Sequence, residues 1–253
     1  MELNYAAQLY TLRNELKQDF PGVLRELKKM GWEAVQIDGL FGYSAEEIAE
    51  VLKETGLATA GMHIGLDRMN DDLDNVMKES LLFNSKDFFC HYMEEYMQNV
   101  EGYKKAKVDL LEVARKLSPL GFRIGYHNHD FEFKTTIEGK SALEFILEPK
   151  GNNFIYPEID TYWVKKAGVD PLAFIKKYTG RTPYLHFKDM TTDGLEFFAE
   201  VGTGSIDFSS ILSWGKQHGV EWYVIEQDEC KVSPFDSLAL SLENLKKMEE
   251  KLK

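Results

Sequence analysis

Short apolar runs alternate with longer charged, amphipathic stretches along the whole chain. Eight of the apolar runs read as strands: Leu3–Leu9, Ala34–Ile37, Ala58–Ile64, Asp87–His91, Arg123–Asn128, Phe154–Asp160, Tyr184–Lys188 and Trp222–Glu226. Each is short, rich in aliphatic or aromatic residues, and bounded by turn or charge signals. The stretches between them carry apolar residues at helical spacing. After Phe20-Pro21-Gly22, the residues Val23, Leu24, Leu27 and Met30 share one face, and Gly31 follows as a C-cap. Ser44 and Glu47 have capping-box spacing, which predicts a helix over Ala45–Glu54 ended by Gly56. Tyr103–Leu117, Ser141–Leu147, Asp170–Tyr178, Phe208–His218 and Leu238–Leu252 read as further helices, and Asp71–Phe83 as a weaker one.

Strand followed by helix, repeated eight times, is the pattern of a parallel sheet in an α/β protein. Eight such units in 253 residues fit a closed (β/α)8 TIM barrel. A doubly wound open sheet is the alternative, but it usually needs fewer units. No glycine fingerprint follows the first strand. No linker rich in Pro, Gly or Ser interrupts the chain, so residues 1–253 read as one domain.

The charge narrows the partners. Thirty basic and 42 acidic residues give a net charge of -12, a field that repels phosphate backbones. Nucleic acid is therefore not expected as a partner. Cys90 and Cys230 are far apart and have neither zinc nor redox spacing, so free thiols in a reducing cytoplasm are expected. The N-terminus lacks the layout of a signal peptide, and no apolar run approaches the roughly 18 residues of a membrane span. A soluble, cytoplasmic protein without a membrane partner is the expectation.

Barrels of this type carry their sites at the C-terminal ends of the strands. Five of the six histidines fall there, and His218 alone falls on a helix. Side chains alternate along a strand, so His127 and His129 share a face, as do Glu158 and Asp160, and Tyr184, His186 and Lys188. The barrel-facing choice brings His127, Asp160, His186 and Glu226 together from consecutive strands. Two imidazoles and two carboxylates suit a divalent metal, with Mn, Co, Zn and Fe not distinguished. Such an ion stabilises an enediolate formed beside a carbonyl. Glu158, Lys188 and His129 are the candidates for proton transfer. Gln8, Arg13 and His63 at strand ends, and Trp163 as a stacking surface, are the candidates for binding substrate. Each also has a plainer reading: a satisfied structural histidine, a salt-bridged Lys188, core packing for Trp163. Gly202-Thr203-Gly204-Ser205 reads as a turn before a helix capped by Asp207, in preference to a phosphate cradle.

The segments YHNHDFEF (126–133), EIDTYWV (158–164), HFKDM (186–190) and VIEQDE (224–229) resemble the sugar phosphate isomerase/epimerase family of the xylose isomerase-like barrel superfamily, to which inosose dehydratase is related. AAQLYTLR near the start and VGTGSIDF near residue 205 extend the resemblance over essentially the whole chain. The resemblance implies a metal held by a Glu, an Asp, a His and a Glu. Asp160, His186 and Glu226 match the last three. The first position falls on His127, a departure that leaves His127, His129 or neither as first ligand. A His often found three residues after the Asp is Trp163 here. The implied activity is a metal-dependent isomerase or epimerase of a sugar or keto-sugar. The alternatives are a lyase or dehydratase on a keto-sugar, 3-keto-glycoside or inosose, a non-catalytic sugar-binding protein, and a nuclease on the same scaffold. A homodimer is an open expectation, with no interface identified.

Overall fold

The structure is a computed structural model and describes residues 3–252. The barrel strands are β1 (Tyr5–Gln8), β2 (Ala34–Ile37), β3 (Ala58–Ile64), β4 (Asp87–Cys90), β5 (Arg123–His127), β8 (Tyr156–Asp160), β9 (Tyr184–Phe187) and β12 (Trp222–Ile225). They close in the order β1-β12-β9-β8-β5-β4-β3-β2, and every neighbouring pair is parallel. Helices α1 (Arg13–Lys29), α2 (Ala45–Thr55), α3 (Leu66–Asp71), α4 (Leu73–Leu82), α5 (Val100–Leu117), α6 (Ala142–Leu147), α7 (Thr161–Lys166), α8 (Pro171–Lys176), α9 (Phe208–His218) and α10 (Pro234–Glu250) lie between and after the strands. The alternation thus produces the predicted (β/α)8 barrel. Two small hairpins, β6 (Thr136–Ile137) with β7 (Lys140–Ser141) and β10 (Asp189–Met190) with β11 (Phe198–Ala199), decorate its loops. Among the described residues, no helix is long and apolar enough to cross a membrane.

Several boundaries differ from the sequence reading, each for a local reason. The first helix begins at Arg13, ahead of the Phe20-Pro21-Gly22 break. Asp19 leaves helical geometry there (φ -153°, ψ 80°), and its carboxylate accepts from Gly22 N at 2.9 Å, capping the second half. The weak stretch over Asp71–Phe83 is two helices that meet at Asp72 (φ -136°). The strand ends at Asp160 as expected, but the residues after it, given no element from sequence, form α7: Asp160 Oδ1 accepts from Trp163 N at 3.0 Å and caps the helix. The glycine loop carries no free amide cradle: Gly202, Gly204 and Ile206 donate to Asp189 at 2.9–3.1 Å. Both cysteines are free, and burial pushes the Cys90 thiol up to about 12.

Strand alternation sorts the side chains. Outward residues such as Val35, Tyr126, Ile159, Leu185 and Phe187 join the helices in the main apolar core. Inward residues build layers. Ala6, Ala34, Ala60, Phe89, Tyr184 and Val224 form a separate apolar plug inside the barrel. Gly125 is required there, because a Cβ would lie 2.3 Å from the Phe89 ring. That ring packs instead on Tyr184 at 4.7 Å. Below the plug, Arg123 pairs with Asp87 and Glu221. Above it, the next inward positions are polar and open into the mouth.

Candidate active site

A cavity of about 900 Å³ opens at the C-terminal ends of the strands. His127 and Glu226 line it, and Asp160 and His186 lie fully buried beneath. Register explains the convergence: Asp160 pairs with His186, and His186 with Val224, so adjacent strands deliver their inward side chains at neighbouring heights. One donor atom each from His127, Asp160, His186 and Glu226 lies within 4.8 Å of the others. His127 Nε2 is 4.0 Å from Asp160 Oδ2, and His186 Nδ1 is 3.5 Å from Glu226 Oε2.

His127 Nδ1, Asp160 Oδ2 and His186 Nδ1 are all buried without a hydrogen bond of good geometry. Buried polar atoms left this way are costly, and they are rare unless a ligand completes them. Two imidazoles and two carboxylates form a donor set suited to a first-row divalent cation. The residues present therefore fit such an ion.

Glu158 stands under this set, on the same strand face as Asp160. Its Oε2 lies 2.6 Å from His63 Nε2, 3.3 Å from His186 Nε2 and 3.4 Å from His127 Nδ1. Its Oε1 accepts from Gln36 at 2.7 Å. Burial alone would raise its carboxyl, but the His186 and His63 charges hold it well below the usual range. Glu158 is sealed from the cavity and touches three histidine rings at once. A carboxylate behind a metal-binding imidazole fixes its tautomer and aims the other nitrogen outward. Gln36 helps, since its Oε1 lies 2.8 Å from His186 Nε2 and also accepts from Gln8.

Lys188 is fully buried inside the ligand set. Its ammonium lies 2.8 Å from Glu226 and 3.3 Å from Asp160, and it also pairs with Asp228. Burial favours the neutral amine, yet these carboxylates outweigh it and hold the amine well above its ordinary value. Its salt bridges are therefore to the site carboxylates, while the adjacent Asp189 caps the glycine loop. Asp160 is raised to about 6 by burial, with Lys188 pulling against it. For His186, burial is overcome by Glu158 and Glu226, and it rises to about 10. His63 rises to about 8 in the same way, with Glu158 outweighing burial. Burial and the His186 charge hold His127 down at about 3, leaving a neutral ring.

His129 and Trp163 line the cavity with ring centroids 5.2 Å apart, and Phe131 stacks on His129 at 5.0 Å. Phe131 is thus a cavity wall, whereas Phe133 packs against Phe174. Burial keeps His129 neutral, and its Nδ1 has no partner. His63 also reaches the cavity. Gln8 and Arg13 do not. The Gln8 amide is spent on Gln36, His63 and Tyr10 N, and Arg13 on the carbonyls of Tyr10 and Asp228. Side-chain direction near a strand end does not reveal these neighbours.

The structure brings in strand-end residues to which the sequence reading assigns no site role. Gln36 and Asp228 contact the centre directly, and Asp38 and His91 face it across the cavity. Inward alternation from Ala34 puts Gln36 and Asp38 on the barrel face. Buried Glu132 holds the His129 loop, accepting from His129 N and Tyr126 OH at 2.8 Å each.

No family model matches the chain. It is similar to an inosose dehydratase of Clostridium beijerinckii, 25% identical over 161 residues, covering 56% of this chain and 53% of that protein. An inosose dehydratase of Geobacillus kaustophilus is 23% identical over 270 aligned positions, covering 89% of this chain and 86% of the relative. Several of these matches thus span about half of the relative's length. Among solved structures, a sugar phosphate isomerase/epimerase of Parabacteroides distasonis superposes with a TM-score of 0.81 at 18% identity, covering 97% of this chain and 96% of that one. These similarities bear out the resemblance read from the motifs, and the structural one bears out the barrel fold.

Proposed function

We propose that this chain is a divalent-metal-dependent enzyme that removes a proton beside the carbonyl of a sugar or keto-sugar, acting as an isomerase or epimerase. The observation that carries the reading is the convergence of His127, Asp160, His186 and Glu226, with Asp160 Oδ2 and His186 Nδ1 turned to the set and making no hydrogen bond of good geometry. The resident ion would be Mn, Co, Zn or Fe, which this mixed donor set does not separate. When bound, it supplies Lewis-acid polarisation of the carbonyl and the adjacent hydroxyl oxygen.

The chain's own groups do the rest. Glu158 orients the rings of His63, His127 and His186 and is not itself positioned to reach substrate. Neutral His129, at the cavity wall, accepts the proton from the carbon beside the carbonyl. The electron pair left on that carbon moves into an enediolate. The Lys188 ammonium stabilises the negative oxygen and can return a proton to it. Trp163 offers a face for the sugar ring, and His63 a polar group for a hydroxyl. Aspartates and glutamates along the cavity accept hydrogen bonds from hydroxyls and oppose a phosphodiester backbone, which disfavours the nuclease reading.

A second reading, a dehydratase or lyase on a keto-sugar, 3-keto-glycoside or inosose, is favoured by two observations. The curated relatives are inosose dehydratases. His127 stands where a two-carboxylate epimerase would carry its first glutamate. The first proton removal is common to both readings, and expulsion of hydroxide or an aglycone replaces reprotonation. Incubating manganese-loaded protein with keto-sugars in D₂O tests both. Deuterium beside the carbonyl with retained mass supports isomerisation, and loss of water or aglycone supports elimination. The absence of any metal-dependent exchange or product would overturn the enzyme reading in favour of a sugar-binding protein.

A further inference from the structure

We propose that the opposite wall of the mouth holds a second divalent cation, bound by Asp38, His63 and His91. These residues follow or end β2, β3 and β4, three adjacent strands on the side of the barrel away from β9 and β12. One donor atom of each lies within 4.8 Å of the others. Asp38 Oδ1 is 3.5 Å from His63 Nδ1. The two imidazoles stack nearly parallel, with centroids 5.3 Å apart and planes 8° apart, so their edges can face one point. His91 Nδ1 is buried without a hydrogen bond, which leaves its capacity unspent.

His63 is prepared for the task. Its far nitrogen, Nε2, lies 2.6 Å from Glu158, which keeps a ring proton there and leaves Nδ1, facing Asp38, as the ligating nitrogen. The Gln8 amide, 3.1 Å from Nδ1, gives way on loading and keeps its contacts to Gln36 and Tyr10. Two histidines and one carboxylate form a set that leaves coordination positions open. All three line the cavity, so water or substrate oxygens can fill those positions. The mouth also has charge to neutralise: Asp160, Glu226 and Asp228 surround the Lys188 ammonium, and Asp38 adds a carboxylate beside His63. His63 stacks on His186 at 5.1 Å, so the two sites are immediate neighbours sharing one hydrogen-bond hub.

Manganese titrated into chelator-stripped full-length protein tests this, followed by calorimetry and electron paramagnetic resonance. The expected result is two ions per chain with a spin-coupled, broadened spectrum. In His91→Ala and, independently, Asp38→Asn, one ion remains with an isolated-ion six-line spectrum. One ion per chain in the wild type, retained in both variants, overturns the second site and leaves the proposed function standing. One ion lost in both variants but kept in Asp160→Asn supports the second site and sinks the first. No binding in a folded sample overturns both. Circular dichroism on each variant separates lost binding from lost folding.

Discussion

The two ends of the barrel are built from the same strands and treat buried charge in opposite ways. At the N-terminal end, Arg123 donates to both oxygens of Asp87 at 2.6 and 2.9 Å and reaches Glu221 at 2.7 and 2.8 Å. Tyr184 OH adds a bond to Asp87 at 2.7 Å. Each charged group there has a partner. At the C-terminal end, two or four residues further along the strands, the polar groups crowd together and several atoms go unmatched. His91 and His129 each leave Nδ1 without a hydrogen bond, and His127 Nδ1, His186 Nδ1 and Asp160 Oδ2 have only charged neighbours at 3.3–3.5 Å with no hydrogen bond of good geometry. The apolar plug around Phe89 separates the two ends. A fold tolerates unmatched buried groups where function requires them, and satisfies the rest. The bottom network therefore serves stability, and the top set is the one proposed to hold a cation.

The contrast can be broken by substitution at either end. The largest expected effect is on metal affinity. Asp160→Asn should weaken manganese binding at the first site by roughly 100-fold or more, about 3 kcal/mol or more. It should not lower the melting temperature of metal-free protein, because the native carboxylate is already disfavoured by burial. Calorimetry with a thermal melt checks both, and a destabilised variant with intact affinity would reverse the comparison. At the other end, Arg123→Ala should cost about 3 kcal/mol in urea unfolding, since it strands a largely buried carboxylate. Manganese affinity should stay within about twofold, as expected for distant, independent sites.

A third substitution probes the boundary between the two behaviours. The Lys188 ammonium already sits between Glu226 and Asp160, two of the proposed ligands. Lys188→Met should tighten manganese by about tenfold, or ~1.4 kcal/mol, because a competing cation is removed. The metal-free variant should melt lower, with three carboxylates left facing one another. Unchanged or weaker binding would show that the ammonium does not compete.

The smallest effect concerns pH. Burial raises the Glu132 carboxyl from 4.5 to about 8, against the bonds from Tyr126 and His129 that lower it. Between those values the folded chain keeps a proton that the unfolded chain has lost. Stability from this group is thus full below about 4.5, falls as pH rises towards 8, and stays low above it. Glu132→Gln should flatten that slope in urea melts of metal-free protein across the same range. An unchanged slope would mean that other groups set it.

Much of this was legible in the chain. Alternation and turn signals located every barrel strand to within a few residues, because each inward side chain must repeat at every second position. The same rule put His127, Asp160, His186 and Glu226 on the inner face. What alternation does not convey is depth. Glu158 and Asp160 share a face, yet two residues of rise, about 6.6 Å, put one behind the histidines and the other among them. Partners distant in sequence were equally hidden: Asp87 with Arg123 and Glu221, Gln36 with Glu158, Lys188 with Asp228. Arg13 and Gln8 read as free polar groups because their neighbours come from other strands and loops. The turn into α7 was missed because Asp160 looks like a ligand, while its other oxygen is a helix cap.

The central claim is that the unmatched groups at the mouth exist to hold a cation. A crystal grown with manganese, with anomalous scattering collected at the metal edge, tests it most directly. The account predicts a peak in contact with His127, Asp160, His186 and Glu226, with the Lys188 side chain drawn towards Asp228. Full manganese saturation with no peak at these residues, and the ammonium still bridging Asp160 and Glu226, would contradict it.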